Sequence, residues 1–197
     1  MDISGAGGEA ARVLAAAEML GKKVRILSCE ELSGRERRII RRSKILFLDR
    51  SSEKAMEAAK AAKEKGVPVF LMQHGEEDPG LSGLADILIT SGGDKALTEM
   101  ASMGRTALSL DKRGCKAAID GHMEFFPAYP VKAEYTSEAE EAFCGAFLSG
   151  YLDGMKLRDN IRFASAFAAL YAKEGRMPAK EEALSFMESM EKEMYRS

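Results

Sequence analysis

Carboxylate side chains are concentrated at one point of the sequence, where a predicted helix begins. In the segment TSEAEE, Glu138, Glu140 and Glu141 follow Thr136 and Ser137 within a few residues. Acidic residues in the first turn of a helix interact favourably with the positive end of its dipole. A hydroxyl residue followed three or four positions later by a glutamate is also typical of a capping box. The pattern therefore predicts a helix capped by Thr136 or Ser137.

Two charged residues elsewhere could bind a ligand. Arg12 lies in an alanine-rich segment with helical character, and a guanidinium can hold a phosphate or a carboxylate through two parallel hydrogen bonds. The alternative is an arginine exposed to solvent on a helix surface. Asp111 precedes a glycine-containing turn, where it could bind a metal ion or a ribose hydroxyl, although a turn aspartate needs no ligand. His74 is followed by a glycine and an acidic loop, which favours a surface histidine.

The composition is that of a globular chain with little net charge. The 197 residues are 46% hydrophobic and 30% charged, and the formal net charge is −2. A chain of this length can bury a sizeable core, and this composition does not favour disorder. Nucleic-acid-binding proteins are usually basic overall or carry a basic stripe, so nucleic acid is not expected as a partner. One local run of basic residues is interpreted as the solvated face of a helix: Arg35, Arg37, Arg38, Arg41, Arg42 and Lys44.

Cysteine and histidine usage bears on metal binding and on location. Cys29, Cys115 and Cys144 have no metal-type spacing, and the two histidines are His74 and His122, so a zinc site is not expected. An odd number of unclustered cysteines suits a reducing compartment. No apolar run has the length of a membrane span. The start of the chain shows no apolar run as long as that of a signal peptide, so no signal peptide is expected. These features predict a cytoplasmic protein without a membrane partner.

Short apolar runs alternate with segments of helical character through the first part of the chain. A continuous run such as KILFL is expected for a strand that is covered on both faces of a sheet. Strands that alternate with helices predict a three-layer αβα fold with a mostly parallel sheet. The predicted strands are 24–27, 44–48, 67–72, 86–90 and 106–110, and the predicted helices are 9–20, 30–42, one from Ser51 or Ser52 through 65, and 95–103.

The pattern changes after residue 110. The apolar runs 116–119 and 123–126 flank the dipeptide Asp120-Gly121, which strongly favours a two-residue hairpin turn. No internal repeat or linker divides the chain, so residues 1–197 are predicted to form a single domain. The remaining predicted helices are 138–152, 157–173 and 179–195.

Four segments, in order along the chain, resemble the ribokinase-like (phosphofructokinase-B-type) family of sugar and nucleoside kinases. They are 7–21 (GGEAARVLAAAEMLG), 86–94 (DILITSGGD), 109–121 (SLDKRGCKAAIDG) and 136–154 (TSEAEEAFCGAFLSGYLDG). The resemblance covers essentially the whole chain, which is much shorter than typical members. It implies a ribokinase-like core whose first strand would lie before Met1. The family's β-strand lid over the sugar is expected to be absent, because no strand is predicted between residues 27 and 44.

The first two segments imply positions for the substrate and for a metal ion. In the family, paired glycines let the backbone approach the sugar and a later asparagine binds it. Here these positions hold Gly7, Gly8 and Arg12. The second segment is similar to an Asn-x-x-Glu motif tied to magnesium and phosphate, in which Ser91 replaces the asparagine and Asp94 the glutamate. Asp94 is therefore the implied metal ligand.

The last two segments imply a nucleotide site and a catalytic base. The fourth resembles the family's Asp-Thr-Thr-Gly-Ala-Gly-Asp signature, with Tyr135 at the first aspartate. Glu141 stands at the catalytic aspartate, which acts in the family as general base for the substrate hydroxyl. In the third segment, Gly114 keeps one glycine of the family's nucleotide-side turn, and Asp111 replaces another. The implied nucleotide and anion-hole positions are Asp111, Gly114, Thr136, Ser137, Glu138, Ala139 and Glu140.

These replacements change the chemistry that the resemblance implies. The family's glycines present backbone N–H groups to phosphate at a helix N-terminus. Glu138 and Glu140 would add negative charge there, together with backbone strain of about 1–2 kcal/mol each if positive φ is kept. Glu141 would displace the base by about 1 Å. We therefore expect a kinase homologue with lost or very weak phosphotransfer, acting as a small-molecule binder or scaffold.

Two alternatives stay open from the sequence. One is an active sugar or nucleoside kinase that uses ATP, magnesium and Glu141 as general base; without activity no cofactor is expected. The other is an unrelated α/β binding protein. A homodimer would cover the apolar surface or sheet edge that loss of the lid and first strand leaves.

Overall fold

A six-stranded sheet organises the computed structural model, which describes residues 8–23, 32–73, 78–90, 94–136 and 138–194. The strands lie side by side in their order along the chain, and the first four run parallel. This arrangement confirms the predicted α/β fold with a mostly parallel sheet. The strands are β1 (Leu46–Leu48), β2 (Val69–Gln73), β3 (Ile87–Thr90), β4 (Thr106–Asp111), β5 (Gly114–Ile119) and β6 (His122–Pro127).

The helices predicted from the sequence are present, with ends shifted by a few residues. The predicted strand at 24–27 lies outside the described residues. A short helix between β2 and β3 is not indicated by the apolar pattern; Asp78 caps it and Pro79 occupies its first turn. The helices are α1 (Gly8–Met19), α2 (Gly34–Ile40), α3 (Glu53–Lys63), α4 (Pro79–Ser82), α5 (Asp94–Ser102), α6 (Ala139–Leu152), α7 (Leu157–Glu174) and α8 (Lys180–Met194).

Helix α2 begins at Gly34, later than the start predicted at residue 30. Ser33 and Glu36 form a capping box that sets this start. The Ser33 Oγ accepts a hydrogen bond from the Glu36 N–H at 3.3 Å, and Glu36 Oε2 accepts one from the Ser33 N–H at 2.8 Å. Residues 32–45 form this helix and the turns around it, and no lid strand occurs among them.

The centre of the sheet is buried because β2 and β3 are apolar on both faces. Every residue of these two strands is buried, including the polar residues at their carboxyl ends. On one face, Leu71 and Leu88 belong to the same hydrophobic cluster as Leu97 and Met100 of α5. The apolar runs that form β2 and β3 are therefore covered on both sides. The run KILFL, for which this was predicted, forms β1, where Leu46 is buried but Phe47 and Leu48 are only partly buried.

The chain divides into two compact units. The first holds α2–α5 and nearly all of the sheet, and the second holds α1, the turn 112–114 and α6–α8. This division does not decide how many domains the chain has, and the single domain stays a prediction. None of the helices in the described ranges combines the length and the apolar character needed to cross a membrane.

Helices α1 and α6 of the second unit approach each other closely at Gly145. A Cβ atom on Gly145 would lie 2.5 Å from the carbonyl oxygen of Val13 and 3.2 Å from the nitrogen of Ala17. Ala16 and Ala17 are buried at this interface. The two backbones can therefore approach only because α6 carries a glycine where α1 carries small residues.

The Gly145→Ala substitution is expected to destabilise the protein, because the added methyl group would overlap backbone atoms of α1. We expect a loss of about 1–3 kcal/mol in the free energy of unfolding, measured by urea denaturation. Gly34→Ala is the matched control, because nothing lies within 4 Å of a Cβ atom at that position. It should be neutral or slightly stabilising. Equal effects of the two substitutions would contradict the close approach.

Asp153 ties three helix ends together in the second unit. It follows α6 and accepts hydrogen bonds from Lys22, which follows α1, and from Lys180, the first residue of α8. The Lys180 Nζ lies 2.6 Å from Asp153 Oδ2. Hydrogen bonds from Lys180 and then from Lys22 lower the pKa of Asp153 below its ordinary value of 3.8, because both favour the ionised carboxylate.

These contacts should make stability depend on pH. The pKa of Asp153 is lower in the folded chain than in the unfolded chain. Its contribution to the free energy of unfolding is therefore complete at pH values above the unfolded-state pKa and is lost as the pH falls through the folded-state pKa. Asp153→Asn should therefore lower the free energy of unfolding at about pH 6 and flatten its decline toward about pH 3, measured by urea denaturation. Asp159→Asn, which removes an exposed pair with Arg162, is the control. Parallel acid declines for Asp153→Asn and wild type would contradict the prediction.

Candidate functional site

Helix α6 begins at Ala139, and the residue before it is a glutamate. Glu138 occupies the N-cap position with φ −124° and ψ 9°, and its side chain makes no cap hydrogen bond. Thr136 contributes only its carbonyl oxygen, which accepts a hydrogen bond from the Ala139 N–H at 3.4 Å. Ser137 lies outside the described residues. The predicted cap at Thr136 is therefore wrong, the one at Ser137 is not tested, and the Glu138 carboxylate contacts other side chains.

The backbone at this helix start is not strained. Among the described residues, Asp120 in the hairpin turn is the one non-glycine residue with a positive φ. Glu138 has a negative φ, and Glu140 lies within the first turn of α6. The prediction of backbone strain at the replaced glycines is therefore wrong, because the turn takes an ordinary backbone conformation that side chains tolerate.

Arg12 of α1 and Glu141 of α6 form a short ion pair. The Nη2 and Nε atoms of Arg12 donate to Glu141 Oε1 at 2.7 and 3.1 Å. The side chain of Glu141 is 6% exposed and that of Arg12 is 37% exposed. A carboxylate buried to this degree needs a partner, because an unpaired charge in the interior is strongly disfavoured. Arg12 thus binds a carboxylate of its own chain and is not simply a solvated arginine.

Glu138 belongs to the same group of side chains. Its Oε2 accepts a hydrogen bond from the hydroxyl of Tyr171 on α7, and its Oε1 lies 3.8 Å from Arg12 Nη1. The hydrogen bond to Glu138, followed by burial, raises the pKa of Tyr171 to about 12, so this phenol stays protonated at neutral pH. We call the side chains of Arg12, Glu138, Glu141 and Tyr171 the Arg12 cluster.

The Arg12 cluster combines two carboxylates, one guanidinium and one neutral phenol. A general base must come within about 2.6–3.2 Å of the group whose proton it removes. The Oε1 atom of Glu141 already accepts two N–H groups of Arg12. The contacts of the cluster therefore join α1, α6 and α7.

Tyr171 is the member of the Arg12 cluster that sequence reasoning misses, because it lies far from Glu138 along the chain and no motif surrounds it. The backbone explains its position. The carbonyl oxygen of Ala172 accepts hydrogen bonds from the N–H groups of Glu134 and Tyr135, both at 2.8 Å. The segment before α6 is thereby fastened to the end of α7, which brings Tyr171 to Glu138.

The implied metal ligand is paired with a lysine. Asp94 is the first residue of α5, and its Oδ1 accepts a hydrogen bond from Lys116 Nζ at 2.7 Å. Within the described ranges, no group of three or more His, Cys, Asp or Glu side chains could hold a metal ion. A metal-binding role for Asp94 stays a prediction, as does ligand binding by Asp111, the exposed last residue of β4.

Gly114 is required by the backbone of the hairpin. It has φ 141°, and a Cβ atom there would lie 2.7 Å from the nitrogen of Ala128. The glycine is therefore explained by the close approach of two chain segments, and its role toward a nucleotide stays a prediction. The remaining implied positions are Gly8, which begins α1, Ala139 and Glu140, which begin α6, and Gly7 and Ser137, which lie outside the described residues.

Comparison with known proteins identifies the fold. No protein-family model and no curated protein matches the sequence. The chain is similar to Arabidopsis thaliana ribokinase complexed with ribose and ATP, with a TM-score of 0.70 and 24% identity over 81% of this chain and 60% of that one. It is similar to a fructokinase with bound ATP from Xylella fastidiosa (TM-score 0.76, 15% identity, 94% and 91% covered). A third similar structure is a putative ribokinase II from E. coli in complex with ATP and Mg²⁺, with a TM-score of 0.66 and 15% identity over 82% of this chain and 65% of that one.

These similarities, with the six-stranded sheet and its flanking helices, show that the chain has a ribokinase-like fold, as the sequence resemblance implies. The chain spans 60% of the Arabidopsis ribokinase and 65% of the E. coli ribokinase II. At these identities the likeness is one of fold alone. The chemistry of this chain therefore has to be judged from its own side chains.

Removing Arg12 alone should cost more stability than removing the whole ion pair. Arg12→Met leaves the buried Glu141 carboxylate without its partner, and we expect a loss of about 1.5–3 kcal/mol in the free energy of unfolding. Arg12→Met combined with Glu141→Met replaces the pair by apolar side chains and should recover most of that loss. Urea denaturation of wild type, both single variants and the double variant completes a double-mutant cycle. Additive effects would show that the two residues are not coupled.

Proposed function

We propose that this protein is a ribokinase-fold homologue of carbohydrate and nucleoside kinases in which phosphoryl transfer is lost or very weak. On this proposal the fold is kept as a small-molecule binder or a scaffold. The observation that carries the proposal is the short ion pair between Arg12 and Glu141. In the sequence resemblance, Glu141 stands at the position of the family's catalytic aspartate.

The first support is the competition for Glu141. To accept a proton from a substrate hydroxyl, its carboxylate would have to exchange the N–H donors of Arg12 for that hydroxyl. The side chain is almost fully buried, so the substrate oxygen would also have to enter the space between α1 and α6. A residue held in this way stabilises the helices and is badly placed to act as a base.

The second support is the charge at the start of α6. Phosphoryl transfer depends on positioning and on stabilising negative charge. The N-cap position instead carries Glu138 and the first turn carries Glu140 and Glu141, and Arg12 already pairs with two of these three residues. A phosphate about 4 Å from a carboxylate would meet repulsion of roughly 1–4 kcal/mol, depending on the local dielectric. The residues present therefore fit a nucleotide phosphate poorly, and we assign no step to ATP or magnesium.

The similar structures supply the ligands for a test. The Arabidopsis ribokinase structure contains ribose and ATP, and the E. coli ribokinase II structure contains ATP and Mg²⁺. If this protein is an active kinase instead, ATP and magnesium would be its cofactors and Glu141 its general base. The proposal and this alternative predict opposite results with the same ligands.

We expect no substrate-dependent ADP release with common sugars and nucleosides, and weak or undetectable binding of ATP with magnesium in calorimetric titration. Glu138→Gly combined with Glu140→Gly removes two carboxylates and restores the glycines of the family. ATP should then bind about tenfold more tightly, since tenfold corresponds to about 1.4 kcal/mol of relieved repulsion. The gain should be largest at low ionic strength, where charges are least screened.

Glu188→Gln combined with Glu193→Gln is the matched control, because it removes the same charge from exposed positions of α8. It should leave ATP binding unchanged. Micromolar binding of ATP by the wild type, together with ADP release that Glu141→Gln abolishes, would overturn the proposal and establish an active kinase.

A further inference from the structure

Strand β6 is the last strand of the described sheet, and it carries exposed apolar side chains. Met123 is 48% exposed and Phe125 is 53% exposed. They are separated by one residue, so they lie on the same face of the strand. Edge strands that stay unpaired are usually protected by lysine, proline or a bulge. Here the only such residue within the strand is Pro127, at its end.

The hairpin geometry shows which backbone groups of β6 point away from β5. The turn residues Asp120 and Gly121 have φ 52° and 79°, as in a two-residue hairpin turn. Ile119 is therefore opposite His122. The hydrogen bond from the Ala128 N–H to the Arg113 carbonyl, 2.7 Å long, fits the same register at the other end of the hairpin.

In this register the even-numbered residues of β6 bond to β5, and the backbone groups of Met123 and Phe125 point outward. Among the described residues, no loop or helix gives a backbone hydrogen bond to Met123 or Phe125. The same two residues therefore present both exposed apolar side chains and the outward N–H and C=O groups of the strand. This is the surface to which another strand adds.

The charges at the two ends of β6 have opposite sign. Asp120, in the turn before β6, is exposed. At the far end of β6, the connection between β4 and β5 carries the exposed residues Asp111, Lys112 and Arg113, one negative and two positive charges, so this end is basic on balance. Two copies of such a strand in antiparallel orientation place the acidic end of each against the basic end of the other. Parallel pairing would bring like charges together, so this charge pattern favours an antiparallel second copy of the same chain.

We propose that β6 is a self-association surface, through which two copies of this chain pair antiparallel across a two-fold axis. Met123 lies opposite Phe125 of the partner subunit in this arrangement, and Phe125 opposite the partner's Met123. The outward backbone groups of both strands then bond to one another, and the two sheets become continuous. A two-fold contact of this kind is closed, because the same surface is used on both copies.

The pairing brings together one pair of like charges, which provides a test of its register. Glu124, at the centre of the paired segment, lies opposite Glu124 of the partner subunit. Like charges directly opposite each other in a sheet are unfavourable. Glu124→Gln should therefore strengthen the association, and a weaker association in that variant would overturn this register.

Sedimentation velocity of the full chain over a series of concentrations tests the proposal. The wild type should form dimers as concentration rises. Met123→Lys places a charge in the apolar contact, and Phe125→Pro removes an N–H that points away from β5. Each should raise the dissociation constant by at least about tenfold. Two variants are used because, if circular dichroism shows that one is misfolded, the other still tests the β6 contact.

Met19→Lys is the matched control, because Met19 is 64% exposed and lies on α1. It adds the same charge and should leave the dissociation constant unchanged. A wild type that stays monomeric at every concentration would overturn the proposal. So would a dimer that survives both substitutions in β6, or one that Met19→Lys weakens equally.

Discussion

The ion pair between Arg12 and Glu141 is the interaction on which the second compact unit depends. It joins α1 to the buried start of α6, and Glu138 extends the contact to Tyr171 on α7. A carboxylate buried to this degree is stable only beside a donor. The three helices must therefore keep their positions around one guanidinium. Gly145, one turn further along α6, allows the close approach of α1 that this pairing needs.

The same interaction shows how the structural and the catalytic role of a carboxylate make different demands on it. A catalytic base has to reach its substrate and change partners during the reaction, whereas a structural carboxylate has to keep its partner. In the resemblance to the kinase family, Arg12 stands for a sugar-binding asparagine and Glu141 for the catalytic aspartate. The two replacements complement each other, because the first supplies the cation that the second binds. On the proposed function, this one pair of changes removes a sugar contact and occupies a base while the fold is maintained.

Much of the fold could be predicted because it depends on residues close together in the chain. Apolar runs predicted the strands, of which β2 and β3 are fully buried, and Asp120-Gly121 predicted the hairpin turn in which both residues have positive φ. The contacts at the start of α6 could not be predicted in this way. Glu138 takes the N-cap position, and its carboxylate contacts Tyr171 and Arg12, which are far from it in the chain. At Ser33 and Glu36, which lie three residues apart, the capping box does form.

By itself the sequence determined the alternation of strands and helices, the hairpin and the resemblance that the fold confirms, since each follows from local periodicity or turn conformation. The tertiary structure alone decided what the charged residues do. Arg12 and Glu141 are distant in the chain, and Tyr171 is more distant from Arg12 still. They meet only because α1, α6 and α7 pack together and because Ala172 fastens the segment before α6. A side chain's charge is set by its type, but its partner is set by the packing of the helices that carry it.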